Sequence, residues 1–440
     1  MHINKSVFSG LPVVFAALLL GGCATYSSSF KPIEQEIVAH RPAKALELLE
    51  KQKLSGKDAL LHLLNKAMLL RMMNDYSGSN AQFEMAKKYI EQFNSTSVTE
   101  QTASFLVNDS TQSFVGDPFE QIMIHIYAAL NYLELNNVDA ARVEALQVDV
   151  KLRKLASMNK NALLRSDPFA RYLSAIIFED MSDWSDATIA YRKAYEAYQA
   201  HSKSYSLTIP TSLKHDLLRM LDFQGLNDER DKLSKQFGIS NWKSHKELRQ
   251  QGEVILFLSN GLAPIKREHT VSRAGIGGQI HRISLPYYEI RKNGFSHARL
   301  YVNGSEQPIR TEIVEDINNI AQKTLAANMP AIAARTLARV ITKHKTAKEA
   351  GKNHGLAGLL VNVVNVITEV ADTRSWLTLP GDIHLGRLPL PPGTYNLELE
   401  LVDHAGHTIS RHQYKDVIVK RGRKTYLSHH WVSPAALRRK

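Results

Sequence analysis

The chain has 440 residues, 44% of them hydrophobic, and a formal charge of +12. That length and apolar content suffice for two or three buried cores and exclude a disordered chain. A single cysteine excludes a disulfide framework and Cys-based metal or redox chemistry, and basic residues that are mostly scattered read as a solvated surface.

The first 22 residues contain one charged side chain, Lys5, an apolar run from Leu11 to Leu20, and the small pair Gly21 and Gly22 before Cys23. A weakly basic start, a run too short to span comfortably and small residues before a cut describe a secretory signal. Leu20-Gly21-Gly22-Cys23 resembles the lipobox of bacterial lipoproteins. The resemblance implies that residues 1–22 are removed and that a lipid is joined to Cys23. Because Ala24 rather than Asp follows, it also implies the periplasmic face of the outer membrane of a Gram-negative cell. Residues 23–32, rich in small and hydroxyl side chains, form a lipidated tether. The mature chain loses only Lys5 and keeps a balance of +11, which suits anionic envelope neighbours such as lipopolysaccharide phosphates and cell-wall carboxylates. No nucleic-acid partner is expected in that compartment.

Residues 33–240 read as helical, with apolar residues recurring at three and four. Asp117-Pro118-Phe119-Glu120 and Asp167-Pro168-Phe169 each start a helix with an Asp cap and a first-turn proline. Both helices run to a tight polar turn and a second helix. These hairpins resemble the tetratricopeptide repeat (TPR), in which small residues allow close helix packing and an aromatic fills the gap between hairpins. The matching residues are Ala67, Phe83, Ala129, Ala141, Ala175, Trp184, Ala187, Tyr191 and Ala194. Ser79, Ala141 and Ala187, which open second helices, are spaced by 62 and 46 rather than the expected 34, so insertions are expected, most clearly Asn94 to Gly116. Hairpins of this kind bury their faces only by stacking, and a concave groove for a partner protein is expected.

Residues 245–440 read as an α+β domain with a small antiparallel terminal sheet. Glu253 to Ser259 is a buried strand ending at Asn260-Gly261, and Ile280 to Ile290 and Ala298 to Val302 are further strands. Glu312 to Asn328 and Pro330 to Lys345 read as two helices joined at Pro330, with Arg335 and Arg339 four apart on one face. Leu356 to Val370 falls short of a membrane span and reads as a buried helix. Beyond it lie Arg374 and Trp376, then alternating strands from Ile383 to Leu427.

Phe119 to Leu133, Glu253 to Lys266 and Thr373 to Pro380 resemble a family of Gram-negative outer-membrane lipoproteins with TPR-like repeats. The resemblance implies an architecture and a location but no reaction. The sequence holds no His-Glu-x-x-His helix, phosphate loop or Gly-x-Ser-x-Gly elbow, so no enzyme, cofactor or metal is expected. The expectation is a lipid-anchored scaffold that docks another envelope protein through its hairpins, in cell-wall or envelope assembly. The alternative is a protein binding or acting on cell-wall or lipopolysaccharide glycans through its C-terminal half, with Arg335, Arg339, Arg374 and Trp376 as ligand contacts.

Overall fold

The computed structural model describes residues 26–53, 56–96, 112–158, 167–205, 207–274, 280–302, 305, 307–353 and 370–437. The expected signal segment, Cys23, most of the expected Asn94 to Gly116 insertion and residues 356–369 of the expected buried helix lie outside them.

Helices come in pairs. After a short turn of helix, α1 (Tyr26–Ser29), the pairs are α2 (Lys31–Val38) with α3 (Pro42–Glu50), α4 (Ala59–Met72) with α5 (Tyr76–Thr96), and α6 (Pro118–Glu134) with α7 (Val138–Met158). They continue with α8 (Pro168–Asp180) and α9 (Trp184–Tyr205), then α10 (Thr211–Phe223) and α11 (Asn227–Phe237).

Every pair is joined by the same turn. His40, Asn74, Asn136, Ser182 and Gly225 take left-handed φ values of 55, 63, 54, 63 and 69°. The next amide then reaches back over the helix end: Arg41 to Glu36, Asp75 to Leu70, Asn137 to Tyr132, Asp183 to Phe178 and Leu226 to Leu221, all at 2.8–2.9 Å between N and O. This is a Schellman closure, which satisfies carbonyls left open at the helix C-terminus. The turn residues lie 34, 62, 46 and 43 apart, so the first interval has the TPR length and the later ones carry insertions. Five residues past each of the first four turns stands a fully buried small side chain, Ala45, Ser79, Ala141 or Ala187, where two helices approach too closely for a larger group.

The C-terminal part follows α12 (His245–Gln250), whose start is closed by a Ser244–Glu247 capping box. Strands β1 (Gly252–Asn260), β6 (Glu312–Asp316), β7 (Asp382–Leu390) and β10 (Lys424–Trp431) form one sheet in the order β10-β1-β7-β6. A second sheet has the order β5-β4-β8-β9, from β4 (Phe295–Val302), β5 (Ile309–Arg310), β8 (Gly393–Asp403) and β9 (Thr408–Val419). β2 (Ile265–Ala274) and β3 (Ile280–Glu289) pair as a hairpin.

The expected antiparallel sheet is present in the C-terminal part as β5-β4-β8-β9, but a mixed sheet accompanies it. The first sheet is built on β1, which pairs with β7 antiparallel and with the much later β10 in parallel. A second correction concerns Glu312 to Asn328. Glu312–Asp316 is an edge strand on β7, and one helix, α13 (Ile317–Asn353), then runs through Pro330 instead of starting there.

The layers follow from strand alternation. Ile255 and Phe257 of β1 belong to a core shared with the helical hairpins, while Val254, Leu256 and Leu258 pack on the second sheet. Helices, first sheet and second sheet are therefore three stacked layers, with β1 buried along its whole length.

At the start of α8, two carboxylates meet between helix and sheet. Asp167 caps α8 by accepting the Ala170 amide at 2.7 Å, and burial pushes its pKa up to about 6. Glu315 of β6, 1% exposed, is pushed well above the usual carboxylate range by burial, then by Asp167 and Asp316. A raised folded-state pKa contributes stability that is complete below the unfolded value, about 4, and is lost as pH rises through the folded value. Stability of the wild type should therefore decline from pH 5 to pH 8 relative to Glu315→Gln, read as urea midpoints. Parallel profiles would contradict this account of the pair.

Candidate functional site

The inner face of the hairpins, where a TPR array offers its groove, is covered by the chain's own sheet. On α6, Tyr127 Oη lies 2.9 Å from Ser259 Oγ of β1. On α8, Phe169 meets Phe257 edge-on at 6.1 Å between ring centres. On α4, Arg71 Nη2 donates to Ser428 Oγ of β10 at 2.6 Å, and Asn65 Oδ1 accepts the Thr378 amide at 3.2 Å and hydroxyl at 2.9 Å. The expectation of a partner protein in that groove is corrected for this reason: the first helices spend their apolar faces on β1, β7 and β10.

A buried ionic lattice ties the same surfaces together. Arg387 of β7 grips Glu253 of β1 with Nε and Nη2, at 2.7 and 2.6 Å, and also meets Asp216 of α10. Arg219 of α10 holds Glu179 of α8 at 2.7 Å and Asp216 at 2.8 Å, and Lys424 of β10 reaches Glu253 at 2.9 Å and Glu179 at 3.2 Å. Tyr172 and Tyr191 donate their hydroxyls to Asp216 and Glu179. Three cations meet three carboxylates, so this cluster is charge-balanced and reads as a clamp between helices and sheet.

Of the residues singled out from the sequence, Ala67, Phe83, Ala129, Ala141, Ala175, Ala187, Tyr191 and Ala194 are buried in the helical core. Trp184 is half-buried, edge-on to Phe223 at 5.4 Å. Trp376 is 1% exposed: its indole meets Phe83 edge-on at 5.9 Å and donates to Thr378 Oγ1 at 3.0 Å. Burial corrects the expectation that it touches a ligand; it anchors the 371–381 segment to the hairpins.

Arg335, Arg339 and Arg374, by contrast, converge on one cavity of about 270 Å3. One wall is the face of α13 carrying Thr324, Asn328, Arg335, Thr336 and Arg339, spaced at three and four. Opposite stand Lys266 of β2, the residues leading into α6, and the 371–374 segment.

Lys266 Nζ donates to Asp117 Oδ2 at 2.9 Å and lies 5.3 Å from the centre of the Tyr288 ring, whose hydroxyl donates to the same oxygen at 3.1 Å. Arg374 forks onto Asp372, Nε at 2.9 Å and Nη2 at 2.7 Å, and reaches Asp58 with Nη1 at 3.2 Å. Beneath them Glu120 accepts the amides of Asp117 and Trp376, each at 2.6 Å. Burial, then the Asp117 charge, pushes its pKa up to about 7 against the pull of Lys266 and those amides.

Arg339 is 2% exposed and Arg335 is exposed. Lys266, Asp117 and Thr324 were not recognised as site residues from the sequence. The polar stripe on α13 was the available signal for Thr324; only tertiary folding brings Lys266 there.

The outer face of the hairpins is open. On α7, Val143, Leu146 and Val150 stand 54%, 42% and 50% exposed at helical spacing, enough to expose an apolar ridge. Val150 also borders a groove of about 410 Å3 between α5, α6 and α7, lined by Ile90 and Ile124 with Lys87, Lys151 and Lys154.

No family model and no curated protein sequence matches the chain. Among solved structures it is similar to a Podosopora anserina kinesin light chain of nearly identical TPR-like repeats, at 14% identity over 48% of this chain and 92% of that one, with a TM-score of 0.31. A variant of the same protein is similar at 14% identity over 48% and 91%, with a TM-score of 0.32. These neighbours are TPR-like repeat proteins.

Proposed function

We propose that this chain is a non-catalytic scaffold, tethered by lipid on Cys23 to the periplasmic face of a Gram-negative outer membrane, that docks an envelope protein on the outer face of its hairpins. The observation that carries the reading is the Val143-Leu146-Val150 ridge, exposed while the inner face is spent on the chain's own sheet. The adjoining groove selects the partner's chemistry. Its lining sets the apolar Ile90, Ile124 and Val150 beside Lys87, Lys151, Lys154 and Glu91, so the partner is an amphipathic segment that brings apolar side chains and polar ones to the groove.

A photoreactive residue placed at Val143 or Val150 in intact cells should give a discrete adduct, one at Lys415 on exposed β9 should not, and Cys23→Ser should abolish both membrane fractionation and the adduct. Equal capture at all three positions would overturn the docking face; unchanged fractionation would overturn the anchor. The second reading, binding of a wall or lipopolysaccharide glycan, is favoured by the convergence of Arg335, Arg339 and Arg374 on one cavity.

A further inference from the structure

The β2–β3 hairpin has one face spent on the protein and one face open. Residues directly opposite each other share a face, so Lys266, Glu268 and Thr270 of β2 lie on one side with Tyr288, Pro286 and Ser284 of β3. That side is committed to the body. Lys266 donates to Asp117, Glu268 accepts the Ala371 amide at 3.1 Å, and the Thr270 and Ser284 hydroxyls meet at 2.8 Å.

The other side carries Arg267 opposite Tyr287, His269 opposite Leu285 and Val271 opposite Ile283. Val271 is 48% and Tyr287 46% exposed, and the half-buried Ile283 and Leu285 belong to none of the three buried cores. These apolar side chains are cross-strand and diagonal neighbours, so they form one contiguous patch on a two-stranded ribbon. The charges beside it cancel, since Arg267 Nε holds Glu289 at 2.7 Å. A phenol and three aliphatic groups next to a neutralised ion pair suit the interface of a bilayer, where a tyrosine buries its ring and keeps its hydroxyl wet.

The position of the hairpin selects that occupant. At the base of the same face, Ile265 is 2% exposed and shares a core with Phe30 and with Ile33 of α2. Arg267 Nη1 lies 3.5 Å from Ser27 Oγ of α1. Tyr26 is itself fixed, its ring stacked on Phe30 at 6.2 Å and its hydroxyl accepting from Asn65 at 2.8 Å. Cys23 precedes Tyr26 by three residues, which reach at most about 11 Å when extended. Val271 stands four residues beyond Arg267, about 13 Å along the strand. A lipid on Cys23 therefore brings the bilayer surface to the base of the open face.

We infer that Val271, Ile283, Leu285 and Tyr287 rest in the interface of the bilayer that holds the N-terminal lipid, as a second contact that fixes the protein's orientation on the membrane. The inference rests on the lipid anchor proposed above: acyl chains supply the attachment, and the hairpin decides which side of the body faces the lipid.

The test uses the whole chain, isolated from membranes and reconstituted into vesicles of phosphatidylethanolamine and phosphatidylglycerol. Val271→Cys carries an environment-sensitive thiol probe, and brominated acyl chains serve as quencher. The expected result is a blue-shifted emission quenched by the bromolipid. The same probe at Lys232→Cys, on exposed surface of α11 in the last hairpin of the array, keeps its aqueous emission. With the probe moved to His269→Cys, quenching is reduced by Tyr287→Ser, which alters a largely exposed side chain.

Aqueous emission at position 271 while the chain floats with the vesicles would overturn the hairpin contact and leave the anchor standing. A blue shift without bromolipid quenching would overturn it too, because protein rather than lipid then covers the face. So would equal quenching at position 232. Probe uptake by the wild type, whose single thiol is Cys23, would overturn the anchor instead. In that case Val271→Cys in a Cys23→Ser background, mixed with the same vesicles, tests the hairpin by itself: quenching supports the contact and its absence overturns it.

Discussion

Arg387→Met should lower unfolding free energy by about 3–5 kcal/mol, the range for removing one partner of a buried ion pair. Arg387 is buried against Glu253 and Asp216, and methionine fills the space but leaves both carboxylates beside one fewer cation. The cost comes from those stranded charges, so adding Glu253→Gln to Arg387→Met should recover part of the loss. The pH dependence gives an independent reading. Burial alone would raise the Glu253 pKa, yet Arg387 and Lys424 outweigh it and hold it at about 2. A depressed folded-state pKa contributes stability that is present above the unfolded value and lost as pH falls through the folded one. The wild type should therefore lose this contribution between about pH 4.3, the unfolded value, and pH 2, and Arg387→Met should lose less of it. Chemical denaturation at pH 7 and pH 3 checks both; a loss under 1 kcal/mol at pH 7 would make the lattice incidental.

Trp376→Ala should cost about 3–5 kcal/mol, as for other fully buried large aromatics truncated in a core. The indole fills a gap beside Phe83, and the segment that carries it is fixed by its own amide on Glu120 and by Thr378 on Asn65. Loosening it also frees the Arg374 wall of the cavity. Thermal unfolding of the variant against the wild type measures this loss, and a cost under 1 kcal/mol would contradict the anchoring role of the indole.

How far the sequence reaches is visible at particular residues. The hairpins were legible because their determinants are local: a capping Asp, a first-turn proline, and small residues such as Ala141 and Ala187. The pairs α2–α3 and α10–α11 were harder to see because their turns rest on His40 and Gly225 rather than on a polar cluster. The covering of the groove could not be read, since it depends on β1 pairing with β10, whose partners Glu253 and Lys424 are far apart in the chain. Local pattern also misled at Glu312, where five residues compatible with a helix became an edge strand because β7 was there to receive them. At the cavity, the four-residue spacing of Arg335 and Arg339 was visible, but Lys266 joins them only through the tertiary fold. Trp376 looked like a ligand contact because nothing nearby in sequence announces Phe83 as its neighbour.

The central claim is that helices and first sheet are one interlocked body, which leaves the outer face and the basic cavity as the surfaces for partners. Amide hydrogen exchange on the whole chain tests it most directly. If the claim holds, the slowest amides of α4, α6 and α8 and those of β1, β7 and β10 exchange together, with one shared opening free energy. If the strands open while the hairpins stay protected, the sheet is a separable lid, and the inner groove returns as a docking site.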